Sequence, residues 1–143
     1  LFEVTGVQTC ALPISIFAEN QKGVMQKITG ILQREDINIL GSVTNDSAEY
    51  GIIRMVVSDA DKAVEALTEE NFICKLTNVL GIEVKDEVGN LNNLLLSFLE
   101  SNINIDYLYL SFNRETGRPI MVIHVDDIME VEACLRGKGF ISL

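Results

Sequence analysis

Few side chains in this sequence could do chemistry, and they are scattered. His124 is the only histidine, and it ends an apolar run beside Asp126 and Asp127. An imidazole next to two carboxylates could move a proton or hold a metal ion. A metal there would lack further soft ligands, so the run reads better as a strand end followed by a helix cap. Cys10, Cys74 and Cys134 have no close partner in sequence. That leaves no disulfide framework and no cysteine-only zinc site. Cys74 and Cys134 lie in apolar patterns and read as small buried hydrophobes. Asp59 and Asp127 each stand just before a helical pattern and suit capping better than catalysis. Tyr107, Tyr109 and Phe112 could stack on bases, but no basic residues are interleaved with them. Glu65, Glu69 and Glu70 are most simply a solvated helix face. No catalytic residue, metal ligand or cofactor is expected, and the chain is not expected to be an enzyme.

The composition narrows the partners. The chain has 143 residues, 48% of them hydrophobic and 22% charged, which supports a packed core and argues against disorder. That length suits one medium domain or two small ones. The formal net charge is -10, from 21 acids against 11 Lys and Arg. Such a surface repels phosphate backbones and acidic lipid, so nucleic acid and membrane are poor partners. No apolar run approaches the roughly 18 residues a spanning helix needs. The expectation is a soluble, acidic, cytoplasmic protein.

The start of the chain reads differently from the rest. It begins at Leu1, as a fragment or processed product would, without the basic and apolar segments of a signal peptide. Val4–Ile14, VTGVQTCALPI, equals one reading frame of a common sequencing-library adapter over eleven consecutive residues. Residues 1–14 are therefore expected to be non-native, with the natural chain resuming near Ser15 and Cys10 and Pro13 carrying no functional information.

The elements that position any site are written twice. Gly23, Ile28, Leu32 and Ile37-Asn38-Ile39 recur as Gly89, Leu94, Phe98 and Ile103-Asn104-Ile105 at a constant offset of 66. Asp59, Leu67 and Phe72-Ile73 recur as Asp127, Leu135 and Phe140-Ile141 at an offset of 68. The two extra residues fall within the polar, turn-like stretch 113–117, where insertions are tolerated. In the first unit, 15–18 is a short strand and 19–23 a loop. Val24, Ile28, Ile31 and Leu32 follow at helical spacing. A strand over about 38–44, a turn at 45–49, a β-branched run at 51–58, a helix after Asp59 and a closing strand over 72–80 complete the unit. The second unit repeats the pattern: strand 81–85, loop 86–89, a helix through Leu91–Leu99, strands 105–112 and 119–125, a helix after Asp126-Asp127, and a last strand at 140–143. Strand–helix–strand–strand–helix–strand is the ferredoxin-like βαββαβ arrangement, an α+β fold with an antiparallel sheet and both helices on one face. The predicted domains are 15–77 and 78–143. Strands 52–57 and 107–110 are apolar on both alternating faces, so the open sheet faces are expected to be covered within or between chains.

The loops Glu19-Asn20-Gln21-Lys22-Gly23-Val24 and Lys85-Asp86-Glu87-Val88-Gly89-Asn90-Leu91 resemble the D-x-P-G-x-L loop of ACT domains. Ile37-Asn38-Ile39 and Ile103-Asn104-Ile105 resemble the (I/V)NI that opens the second strand in that family. The usual Pro is Lys22 in one loop and Val88 in the other, and the usual Asp is Asn20 in the first; Asp86 keeps it in the second. From Ser15 on, the chain resembles a stand-alone tandem ACT-domain protein.

That resemblance implies small-molecule sensing, with an amino acid bound at the interface between two ACT-like domains. The ligand-binding residues it implies are Asn20, Gln21, Gly23, Val24, Met25, Asn38 and Ile39 in the first unit, and Asp86, Gly89, Asn90, Leu91, Asn104 and Ile105 in the second. A ligand carboxylate would take backbone N–H donors at a helix N-terminus. Gly23 and Gly89 would let the backbone approach. Asn38 and Asn104, taken to face the loop from the strand start, would accept from the ammonium. The structural readings stand beside these: the glycines as turn residues, the asparagines as bonding the chain reversal. The resemblance also implies a homo-oligomer and a partner enzyme as receiver of the signal. An alternative is an ACT-type structural or regulatory subunit that binds a partner enzyme without a metabolite, as acetolactate synthase small subunits resemble. A dimeric αβ-barrel enzyme on the same fold has little support, because the acids are scattered and there is one histidine.

Overall fold

The computed structural model describes residues 4–11, 13–46 and 50–137. Its elements run β1 (Val4–Ala11), β2 (Ile14–Glu19), α1 (Val24–Arg34), β3 (Ile39–Asp46), β4 (Tyr50–Val57), α2 (Ala60–Glu69), β5 (Ile73–Leu76), β6 (Val79–Val84), α3 (Asn90–Glu100), β7 (Tyr107–Phe112), β8 (Pro119–His124) and α4 (Ile128–Gly137). They form two compact units. The first lies within Leu12–Thr77, and the second combines β1 with the chain from Asn78 onward.

In the first unit the strand order is β3-β4-β2-β5, all antiparallel neighbours. Alternation sets the faces. Ile14, Ile16 and Ala18 of β2 and Ile53, Met55 and Val57 of β4 are buried with Ile28, Ile31 and Leu32 of α1 and Ala63, Ala66 and Leu67 of α2. Both helices therefore cover one face, as the βαββαβ reading requires. The second unit has the order β7-β8-β6-β1. Its core joins Leu80, Ile82, Met121 and Ile123 to Leu94 and Phe98 of α3 and Val131 and Leu135 of α4.

The position that β5 takes beside β2 is taken beside β6 by β1, which pairs with it antiparallel. Residues 4–11 thus belong to the second unit's sheet, whatever the origin of their coding sequence. The last strand expected at 140–143 lies outside the described residues. The stretch 72–80, read as one strand, is two: β5 ends in the first unit and β6 begins in the second. Part of the expected 45–49 turn belongs to β3, which extends to Asp46; 47–49 lie outside the described residues.

Helix boundaries follow from named residues. Asp59 caps α2 by accepting the Lys62 backbone N–H at 3.1 Å, and Asp127 accepts the Glu130 N–H at 3.0 Å before α4. Three helices end in the same closure. At α1, Asp36 adopts φ 58, its N–H bonds the Gln33 carbonyl at 3.0 Å, and the Ile37 N–H bonds the Leu32 carbonyl at 2.9 Å. Asn71 with Phe72 and Asn102 with Ile103 repeat this pattern at α2 and α3. It is the Schellman motif, in which an apolar residue after the left-handed one packs back on the helix. Ile37, the first residue of the Ile-Asn-Ile motif, is that residue and is buried with Leu32.

The 113–117 stretch is a turn, as expected. Asn113 Oδ1 accepts the backbone N–H groups of Glu115 and Thr116, at 2.9 and 3.2 Å.

Candidate functional site

The two Gly-containing loops have the same backbone. Gly23 and Gly89 sit at the N-caps of α1 and α3 with φ 88 and φ 89. That left-handed region admits glycine and strains other residues. Neither helix has a side-chain cap, in contrast to α2. The first turns of α1 and α3 therefore receive no capping side chain; the Val24 and Asn90 N–H groups bond the Gln21 and Glu87 carbonyls at 3.3 and 3.2 Å, and the helix dipole leaves that end positive.

At the first loop this end borders a pocket of about 100 Å³. The loop and helix supply Asn20, Gln21, Val24 and Met25 to its wall, and the strands supply Ala18, Thr44, Gly51 and Ile53. Four of the residues expected from the sequence are thus brought together there, with Gly23 in the same loop. Ala18, Thr44, Gly51 and Ile53 were not among the expected site residues. The signal that marks three of them is size: Ala18, Thr44 and Gly51 are small where a strand facing a helix would admit larger residues. At the second loop, Asp86 and Gly89 are exposed, Leu91 is partly so, and Asn90 is buried.

Asn38 and Asn104 do not join the loop of their own unit. Each follows a helix whose N-terminus carries that loop, and α1 and α3 are each 11 residues long. At about 1.5 Å per residue the two ends lie roughly 16 Å apart. The expectation that these asparagines face the loop of their own unit is corrected by that length. The backbone of Asn38 bonds Ser58 in both directions: its N–H donates to Ser58 Oγ at 2.9 Å, and its carbonyl accepts the Ser58 N–H at 2.9 Å. Its side chain lies at an open cleft with Asp36, Gln33 and Ile39. Asn104 lies at a similar cleft with Asn102, Asp126 and Asp127. Ile39 packs against the first core and Ile105 against the second.

The scattered chemical residues take structural places. His124 Nδ1 lies 2.9 Å from Asp106 Oδ2, and its ring stacks on Tyr107 with centroids 5.0 Å apart. Cys134 Sγ donates to Ser101 Oγ at 3.5 Å. Cys74 packs against the first core, and burial pushes its thiol above the ordinary range. Among the described residues, no group of three His, Cys, Asp or Glu side chains could hold a metal ion. No helix among them is long and apolar enough to cross a membrane.

Each of the two units has two helices on one face of an antiparallel sheet and a positive-φ glycine before its first helix. Residues 9–135 match the family described as an ACT domain pair, and the chain belongs to that family. It is similar to protein BT0572 from Bacteroides thetaiotaomicron, with 31% identity, 90% of this chain and 88% of that one covered, and a TM-score of 0.82. The regulatory subunit of aspartate kinase from Thermus thermophilus, in its ligand-free form, shares the fold at 19% identity and a TM-score of 0.65, covering 94% and 95%. The corresponding subunit from Thermus flavus does so at 21% identity and a TM-score of 0.61, covering 93% and 94%.

Proposed function

We propose that this chain is a non-catalytic, cytoplasmic regulatory protein that binds an amino acid at the first unit's loop. The observation that carries the reading is the pocket at the uncapped start of α1, lined by Asn20, Gln21, Val24 and Met25. About 100 Å³ is the volume of roughly three waters, enough for the ammonium, Cα and carboxylate of an amino acid. The carboxylate takes the Met25 and Gln26 N–H groups of the first turn of α1, where the helix dipole favours it. Ordinary carbonyl acceptors at Glu19 and the Thr44 hydroxyl suit the ammonium. Met25, Ile53 and Val24 offer apolar surface to the ligand side chain. Asn38 and Asn104 each stand a helix length from the loop of their own unit and are not part of this first-loop site.

Nothing in this arrangement lowers a reaction barrier. Its output is linkage: the amino acid binds one arrangement of the protein better and shifts its population, within a homo-oligomer or toward a partner enzyme. The regulatory subunits of aspartate kinase, which share the fold, make an enzyme of amino-acid metabolism the natural class of partner. A second reading is a subunit that binds such an enzyme without a metabolite. It is favoured by the exposure of Leu91, Leu96 and Leu99 along α3.

The test is a thermal-shift screen against the twenty standard L-amino acids. A ligand at about 100 times its dissociation constant adds about 2.7 kcal/mol, a rise of several degrees for a protein of this size. A rise for one or a few amino acids supports the proposal. A flat response from folded protein, with co-purification of an enzyme, supports the second reading.

A further inference from the structure

The repeat allows the two loops to be compared wall by wall. The turns match: Gln21 N–H donates to the Glu19 carbonyl and Glu87 N–H to the Lys85 carbonyl, each at 2.9 Å. The strand registers match as well. Ala18 stands opposite Gly51 and Thr44 opposite Ile53 in the first unit. In the second, Leu110 stands opposite Met121, and the Glu83–Ile120 pairing places Val84 against Pro119. Equivalent positions are therefore Ala18 and Val84, Thr44 and Leu110, Gly51 and Pro119.

Every one of these three changes enlarges the side chain in the second unit. The wall beside the second loop thus carries bulkier apolar side chains, Val84 at 1% exposed and Leu110 at 44%. The fourth difference is polar. Val24, on the pocket wall, corresponds to Asn90, which is 6% exposed and whose side-chain amide donates to the Lys85 carbonyl at 2.9 Å. The equivalent carbonyl in the first loop is that of Glu19, which shares the pocket wall with an isopropyl group that cannot donate.

We infer that the first loop is the amino-acid site and the second is closed by its own residues, with the Asn90 amide on the carbonyl that a ligand ammonium would otherwise take. The inference rests on the amino-acid reading above. It assigns specificity to Val24, Thr44, Ala18 and Gly51, and it makes the second unit a scaffold rather than a second sensor. A buried amide donor already bonded to the carbonyl must be displaced before a ligand can bind, and the freed amide would then need a new partner.

Calorimetric titration tests this, using whichever of the twenty standard L-amino acids gives the largest thermal shift. Wild type is expected to bind one equivalent per chain. Val24→Asn, which transfers the Asn90 amide to the first loop, is expected to weaken binding by about tenfold or more, about 1.4 kcal/mol. Leu110→Thr, at the second loop, is expected to leave affinity within about twofold, well under that step. Circular dichroism checks folding, and Thr44→Leu replaces Val24→Asn should the latter misfold. Two equivalents per chain, or loss of binding in Leu110→Thr with Val24→Asn intact, overturns the inference while leaving the amino-acid reading standing. A wild-type chain that responds to none of the twenty overturns both.

Discussion

Thr44 stands directly opposite Ile53 in the β3–β4 ladder, and both side chains line the pocket beside the first loop. The short hydroxyl side chain at position 44 keeps that wall low. Thr44→Leu is therefore expected to fill the pocket without disturbing the sheet. Its thermal unfolding should stay within about 1 kcal/mol of wild type, as for an exposed substitution, while the shift given by an amino acid falls away. An unchanged shift would remove Thr44 from the site.

Backbone handedness gives a pair of predictions of opposite sign. Gly23 has φ +88 and open space where a Cβ would stand, so Gly23→Ala meets no steric neighbour and costs only backbone strain. The expected loss is about 1–2 kcal/mol. Asp36 holds φ 58 at the end of α1. Asp36→Gly relieves that strain and is expected to stabilise by up to about 1 kcal/mol. Chemical denaturation of both variants checks the pair, read from the midpoints at constant slope.

The cap of α2 is a third test. Asp59→Ala removes the 3.1 Å bond to the Lys62 N–H. The expected cost is about 0.5–2 kcal/mol. Asp59→Asn retains an acceptor and should recover most of it, which separates capping from any role of the charge in binding.

Cys74 supplies a pH prediction. Burial raises its thiol above the ordinary value of 9.0. The unfolded chain therefore loses this proton first as pH rises, and the contribution to stability is present below pH 9.0 and declines above it until the folded thiol also ionises. Wild type should lose stability more steeply than Cys74→Ala above pH 9.0. Alkylation of native Cys74, followed by peptide mass spectrometry, should lag behind that of the unfolded chain, because the thiolate is the nucleophile.

Much of the fold could be read from paired residues. The recurrence of Gly23 with Gly89 and Asp59 with Asp127 set two βαββαβ units, and the Asp59 cap falls where the sequence puts it. Sheet membership was harder. The 72–80 stretch has continuous strand character, yet Thr77 N–H bonds the Pro13 carbonyl in the first unit while Val79 begins a strand of the second. Local propensity says nothing of which sheet a strand joins. The pairing of β1 with β6 spans about half the chain length and is likewise invisible to periodicity.

The site was legible as far as the loop. Asn20, Gln21, Val24 and Met25 are neighbours in sequence, so the loop keeps them together. Thr44 and Gly51 reach the pocket only through strand register. Asn38 stands the length of α1 away from that loop, a separation that the chemistry of the Ile-Asn-Ile motif does not carry. Ile37 in that motif has a packing duty, the apolar stop of α1, that accounts for its position without a ligand.

The pocket beside α1 makes the first loop the expected place for an amino acid. Amide chemical-shift mapping of the ¹⁵N-labelled chain, titrated with each standard L-amino acid, tests it most directly. Perturbations are expected at residues 20–26 and at Thr44, with residues 86–92 little changed. Perturbations centred on Asp86–Asn92, or none with any amino acid, would contradict it.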